Sequence, residues 1–294
     1  MIFIFAISRV AGSLIGLAIG DALGAPLEGY PPPRRLISGM RGGGVSPRRR
    51  GGVTDDTLQA IAIAESLVIR GGFDPADIVQ RFLGGYIAHP EYYGPTSGAV
   101  FELIRHGMPA PEAARCVHER TGGSRTNGSV MRGAPLGLFY PPPVVAGVSI
   151  ACSRLTHFDR TAAECSAFLN RMISELCRGA DRDAAYRHAL SGCLDRHVRH
   201  VMASPHRRPL VSSLDALDTL HCAVSVFLGA PSFSSAVKTA VNLGGDSDTA
   251  GAVTGALSGA YWGILSIPGD WLAALAIREE LLVLSLHLYH AAIA

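Results

Sequence analysis

Two glycine ladders constrain this chain more than any other feature. Gly12, Gly16, Gly20 and Gly24 recur at every fourth residue near the N-terminus, and Gly251, Gly255, Gly259 and Gly263 do the same near the C-terminus. On a helix, four-residue spacing places each set on one slowly drifting face. Glycine costs up to about 1 kcal/mol in a helix interior, so eight of them require a compensating contact. Close backbone approach between two helices is such a contact. The ladders are therefore expected to pack together, bringing Asp21 and Glu28 near Asp246 and Asp248. The alternative is that each helix packs on something else.

The remainder also reads as helical. Leu58, Ile61, Ala62, Leu67 and Val68 follow a 3.6-residue period, and Ile78, Phe82 and Leu83 open another such stretch. Further helices are expected over 96–106, 111–119, 131–139, 144–154, 160–177, 183–202, 213–228, 233–243 and 270–292. No convincing run of alternating strand residues occurs. With 294 residues, 48% hydrophobic and only 17% charged, the chain can bury a large core and disorder is excluded. The expectation is an all-α bundle of ten or more helices forming one domain over residues 1–294.

A net charge of +2 gives no argument for nucleic acid or an anionic membrane. The six cysteines lie at least 12 residues apart without a C-x-x-C pair, which is no zinc pattern and suits reduced thiols. Met1 to Ile7 is apolar, but Arg9 follows it instead of preceding it, the wrong order for a signal peptide. Thr249 to Pro268 carries no charge over 20 residues. It is rich in small residues and abuts an acidic cluster, so it reads as a buried helix and not a membrane span. A soluble, cytoplasmic monomer is expected.

Chemistry concentrates in two short runs. Thr54-Asp55-Asp56-Thr57 follows Gly51-Gly52, and Asp246-Ser247-Asp248-Thr249 follows Gly244-Gly245. Either run alone describes a helix with an acidic first turn favoured by the helix dipole. Two such runs, alike in both flanks, favour a metal site: four carboxylates in one place repel unless hard cations sit between them. Mg²⁺ or Mn²⁺ takes oxygen ligands of this kind, and two such ions form a hydrolytic centre.

Other residues carry weaker signals. Glu28 sits in a bendable segment after Pro26, where a general acid or base could be placed, or a solvated loop carboxylate. Gly122-Gly123-Ser124-Arg125 leads into Thr126-Asn127-Gly128-Ser129-Val130-Met131-Arg132, which resembles a phosphate cradle with Arg125 and Arg132 adding charge-assisted bonds. His157 taken alone reads as structural. His197 and His200 lie among arginines, a solvated cationic face. Six arginines between Arg34 and Arg50 mark a basic surface loop that would steer an anionic substrate at most.

In this order these segments resemble the ADP-ribosylglycohydrolase family over about Val10 to Trp271. The resemblance rests on Gly20-Asp21-Ala22-Leu23-Gly24 with Glu28, Thr54-Asp55-Asp56-Thr57, Asn127-Gly128-Ser129 with Met131-Arg132, Thr156-His157, and Gly244-Gly245-Asp246-Ser247-Asp248-Thr249. It implies an orthogonal multi-helix bundle with two Mg²⁺ or Mn²⁺ ions. By position, Thr54, Asp55, Asp56, Asp246, Asp248 and Thr249 would be the metal ligands, with Glu28, Asp56 and Asp246 catalytic. Tyr92, Thr96, Ser97, Gly123, Ser124, Arg125, Asn127, Gly128 and His157 would contact substrate. The implied reaction is metal-assisted hydrolysis releasing ADP-ribose from a modified protein side chain.

Two positions depart from the family pattern. Relatives acting on arginine often carry Asp in an Asp-x-Gly segment after the second long helix; here Pro90-Glu91-Tyr92-Tyr93-Gly94 puts Tyr92 there, leaving Glu91 as the nearby carboxylate. Tyrosine cannot replace a carboxylate base at neutral pH. Asp215 aligns where an aromatic commonly packs on adenine. These departures leave open a different ADP-ribose derivative or glycoside as substrate, and a non-catalytic ADP-ribose binder as a further alternative.

Overall fold

The computed structural model describes residues 2–44 and 49–294, with side chains from residue 6 onward in the first helix. Met1 and Arg48 of the segments above lie outside the described residues. Among the described residues every regular element is a helix and none is a strand, and Thr126 and Asp215 form an isolated bridge.

Helix α1 (Ile2–Gly24) is the core element. Leu14, Ile15, Leu17, Ala18 and Ile19 are fully buried, so water reaches neither face. Among the described residues one span, Ala6–Leu27, running from α1 into the turn that follows, is long and apolar enough to cross a membrane, and 89% of its apolar window is buried inside the fold. A 3₁₀ turn, Ala25–Leu27, ends α1. Then come α2 (Asp55–Arg70), α3 (Pro75–Ala88), α4 (Pro95–Arg105) and α5 (Ala110–Arg120). The short α6 (Gly128–Met131) and α7 (Ala134–Phe139) precede α8 (Pro142–Ser153) and α9 (Arg160–Cys177). Next are α10 (Arg182–Ser191), α11 (Arg196–Met202), α12 (Ala216–Gly229) and α13 (Phe233–Val241). Helices α14 (Ser247–Trp262), α15 (Gly269–Ala274) and α16 (Arg278–Ile293) complete the chain.

The two glycine ladders meet. Helices α1 and α14 share the most extensive helix–helix contact of the fold. A β-carbon on Gly20 would collide with the Gly251 carbonyl, and one on Gly251 with the Gly20 carbonyl. This reciprocity means the backbones themselves touch, which no larger residue permits. The seam ends where Ser247 Oγ donates to the Gly24 carbonyl at 2.9 Å, so the N-terminus of α14 lies beside the C-terminus of α1.

Three expected helices are each broken in two. The stretch 131–139 breaks at Arg132-Gly133 because Pro135, in the first turn of α7, has no N–H for the Met131 carbonyl and its ring would clash with it. Within 183–202, Asp195 accepts hydrogen bonds from the backbone N–H groups of His197 and Val198 and starts a new helix. Within 270–292, the chain turns extended at Leu275 before α16 begins. Hydrophobic periodicity continues across these breaks and so does not reveal them. The six cysteines form no disulfide, and all but Cys116 are buried.

Candidate active site

Helices α2 and α14 point their N-termini at one cleft. It is lined by Glu28, Asp55, Asp56, Asp246, Asp248 and Thr249 on one side, and by Tyr92, Thr96, Ser97, Asn127, Gly128 and His157 on the other. The packing of α1 on α14 delivers Glu28 and the Asp246 run. The start of α2 is fixed by Asp21 of α1, whose carboxylate accepts from the Thr54 N–H at 2.9 Å, the Thr57 N–H at 3.2 Å and the Thr57 hydroxyl. Asp21 is fully buried and committed to these bonds. It is thus an anchor for the acidic run, and its charge also reaches Asp248, while that of Glu28 reaches both Asp246 and Asp248, as the ladder packing predicts.

Thr54 caps α2, accepting from the Asp56 N–H at 3.3 Å and donating to Asp56 Oδ2 at 3.3 Å. The Thr249 hydroxyl donates to the same Oδ2 across the cleft at 3.4 Å, which ties the two acidic runs together. Asp248 Oδ1 accepts from the Thr249 N–H at 3.0 Å. Asp246 holds the N-cap position of α14, yet its side chain caps nothing. At the starts of α3, α9, α10, α11 and α12, by contrast, the preceding Asp accepts from the helix N–H groups. Asp246 instead turns its carboxylate to Asn127, whose Nδ2 donates at 2.5 Å. Gly244 and Gly245, both left-handed (φ 68° and 63°), make that turn possible.

Burial and mutual repulsion shift all four carboxylates upward. Desolvation leads in each case. Asp55 is pushed up to about 8, with Asp21, Glu28 and Asp246 adding repulsion. Asp246 rises to about 6, its hydrogen bond from Asn127 opposing the rise. Asp56 and Asp248 are driven well above the ordinary carboxylate range. Burial, with help from Arg132, lowers His157 to about 3, so the imidazole is neutral.

Opposite the acids, His157 packs closely against the Gly128 backbone; a β-carbon at Gly128 would come within 2.6 Å of its Cε1. The remaining expected contact residues lie outside the cleft lining. Gly123 is exposed in a left-handed turn (φ 105°). Ser124 Oγ meets Thr96 Oγ1 at 2.6 Å. Arg125 pairs with Asp215 at 2.6 Å. Arg132 does not reach an anion site: it is fully buried and bonds to Gln59 and Thr156. Glu91 is exposed, 3.4 Å from His89, and does not line the cleft, whereas Tyr92 does, stacked on His89 at 5.0 Å between ring centroids. Gln59 and Thr126 carry roles that the sequence reading missed. Gln59 lies one helical turn after Asp55, and that spacing is the only signal pointing to it.

Buried carboxylates at two facing helix starts, a neutral histidine and an amide-held aspartate thus meet in one cleft of an all-α bundle. The chain belongs to the ADP-ribosylglycohydrolase family, whose sequence model matches residues 5–293. It is 31% identical to the ADP-ribosyl-[dinitrogen reductase] glycohydrolase of Rhodospirillum rubrum, covering 92% of each protein. It is 29% identical to the ADP-ribosylarginine hydrolase Tri1 of Pseudomonas putida (strain GB-1), covering 97% of this chain and 78% of that one. Among solved structures, a chain of an ADP-ribosylglycohydrolase-related protein complex superposes with a TM-score of 0.86 at 36% identity, over 98% of this chain and 99% of that one.

Proposed function

We propose that this hydrolase removes ADP-ribose from a modified protein side chain with the aid of two divalent cations, Mg²⁺ or Mn²⁺, held by Thr54, Asp55, Asp56, Asp246, Asp248 and Thr249. The observation that carries this reading is the pairing of the two Asp runs across one cleft by Thr249 and Asp56. Among the described residues no three His, Cys, Asp or Glu side chains close on one point tightly enough to hold an ion, so the case rests on the donors themselves. They are all hard oxygens, as these cations require. Asp56 Oδ1 is buried without a hydrogen-bond partner among the described residues. The upward shifts of Asp55 and Asp246 are a strain that positive charge relieves.

Bound there, the cations would orient the ribose hydroxyls and polarise an attacking water. The protein's own groups supply the rest. Asn127 holds Asp246 in one rotamer by its 2.5 Å bond. Glu28, half-buried at the rim, is the carboxylate placed to move a proton during cleavage. The enclosed part of the cleft amounts to about 70 Å³, against roughly 300–1,000 Å³ for a drug-sized ligand. It therefore takes the ribose end, while the diphosphate and adenine run outward over Gly123, Ser124 and Arg125. With Glu91 exposed and outside the cleft lining, it does not stand in for the Asp that Tyr92 replaces, which favours a linkage other than arginine as the preferred substrate.

The test is release of free ADP-ribose from arginine- and serine-modified protein, with Mn²⁺ and with chelator. Metal-dependent release from either supports the proposal; none from both, in protein shown to contain metal, overturns it. Tyr92→Asp is expected to raise activity on the arginine-linked substrate, and unchanged activity would remove Tyr92 as the reason for discrimination.

A further inference from the structure

Arg132 is the only fully buried arginine whose hydrogen bonds all run toward the cleft, among the described residues. It lies over the Phe82 ring, with Cζ 4.5 Å from the centroid. Its Nη1 donates to Gln59 Oε1 at 2.6 Å and its Nη2 to Thr156 Oγ1 at 2.5 Å. Each acceptor leads onward. Gln59 Nε2 donates to Asp55 Oδ2 at 2.9 Å. Thr156 Oγ1 meets His157 Nδ1 at 2.8 Å, and His157 Nε2 meets Thr126 Oγ1 at 3.0 Å. A continuous chain thus joins Asp55 on the acidic side to His157 and Thr126 on the opposite side.

We propose that Arg132 is a positioning residue that sets the polarity of this whole chain, aiming the Gln59 amide at Asp55 and holding the His157 proton on Nε2, facing the cleft. The inference rests on the reading of His157 and Asp55 as parts of the working site. The argument is one of donors and acceptors. Guanidinium only donates, so Gln59 must turn its oxygen to Arg132 and its NH₂ to Asp55. Thr156 must accept from Arg132, and its one hydroxyl proton then has His157 Nδ1 as its acceptor. All these groups are buried, and a buried hydroxyl proton left unpaired costs about 1–3 kcal/mol. Nδ1 accepting forces the proton to Nε2, which donates to Thr126 Oγ1. Burial and the nearby guanidinium keep the ring neutral, as its lowering to about 3 indicates.

The consequence is a ring held in one tautomer, its Nε2–H on Thr126 Oγ1, which leaves the hydroxyl proton of cleft-lining Thr126 for a ligand. Because His157 lies against the Gly128 backbone, a tautomer change would alter what Thr126 and the loop offer a ligand oxygen.

The experiment is long-range ¹H–¹⁵N correlation spectroscopy of histidine-labelled, full-length protein without metal, with His157 assigned by its loss in His157→Gln. The wild type is expected to show a single neutral Nε2–H tautomer from pH 5 to 8. In Arg132→Met, Thr156 loses the donor that orients its hydroxyl, its proton is free to turn away from Nδ1, and the signals should move to a mixture of tautomers. Thr156→Val, which spares Arg132, should also lose the single tautomer, and Thr156→Ser should restore it. The KM for ADP-ribosylated substrate should follow, about tenfold higher in Thr156→Val and within about twofold of wild type in Thr156→Ser. A pure Nε2–H ring in Thr156→Val overturns the proposal even if Arg132→Met does not fold. Because the spectra need neither metal nor turnover, they decide this inference separately from the proposed hydrolysis.

Discussion

Along the seam between α1 and α14, side chains are deleted so that backbones touch; at the end of the same seam, charged side chains are crowded where they repel. At Gly20 and Gly251 each backbone carbonyl fills the space where a β-carbon would stand. A few residues on, Asp246 and Asp248 are buried within electrostatic reach of Asp55 and Asp56. The seam gains dispersion and gives up helix propensity; the cleft gives up electrostatic stability and gains a site. The first makes the second possible, because only a rigid, close seam holds the α14 N-terminus against the anchored start of α2.

The largest expected effect lies in the seam. Gly255→Ala places a methyl against the Gly16 carbonyl, and the contact is backbone on backbone, so neither partner can rotate away. Destabilisation of about 3 kcal/mol or more is expected, measured by urea unfolding. A loss under about 1 kcal/mol would mean that the helices slide apart freely and that the seam does not position the cleft.

In the cleft the expected losses are functional. Asp55→Asn and Asp246→Asn should each weaken Mn²⁺ binding by more than about 100-fold, beyond the range seen for residues behind the ligands. Metal analysis finding full occupancy in both variants would sink the ligand assignment. In metal-free protein the same substitutions should not destabilise the fold, since each removes a buried charge that is repelled by its neighbours.

The pH dependence of metal-free stability sharpens the contrast. Asp55 has its folded value raised to about 8 from 3.8, so the folded state holds more protons than the unfolded state in that interval and stability falls as pH rises through it. His157, lowered to about 3 from 6.5, acts oppositely, with stability rising as pH climbs from 3 to 6.5. Between pH 6.5 and 8 only the carboxylate effect remains. The melting temperature of metal-free protein should therefore decline across that window, and Asp55→Asn should reduce the decline. Gly255→Ala should shift the whole curve without changing its slope. An equal slope in wild type and Asp55→Asn would show that the cleft carries no such burden.

What the sequence disclosed follows the same division. The ladders and the two acidic runs were legible because both are local patterns, and because each occurs twice, which favours the reading in which the two copies meet. The roles of Asp21 and Arg132 were not. A buried acid that accepts backbone N–H groups and a buried arginine that serves an amide and a hydroxyl look, in one dimension, like any other charged residue. The breaks at Gly133, Asp195 and Leu275 were missed because apolar periodicity runs through them, and the local signals at the first two, Pro135 and the Asp195 cap, are weaker than that periodicity.

Asp215 gives the smallest expected effect and the sharpest control. Like Asp246 it precedes a helix, but Asp215 Oδ1 accepts from the N–H groups of Leu217 and Asp218 at 2.9 and 3.2 Å, and Oδ2 accepts from Arg125 Nε at 2.6 Å. Its carboxylate is spent on structure, where that of Asp246 is turned away from its helix. Asp215→Ala should cost about 1 kcal/mol for the cap and up to about 1 kcal/mol for the half-exposed ion pair, read as a fall in the denaturation midpoint, while leaving Mn²⁺ affinity unchanged. Asp246→Asn should do the reverse. If Asp215→Ala instead weakens Mn²⁺ binding as much as Asp246→Asn, the helix-start carboxylates do not divide into structural and functional sets, and the capping geometry at Asp246 loses its meaning as a marker of the site.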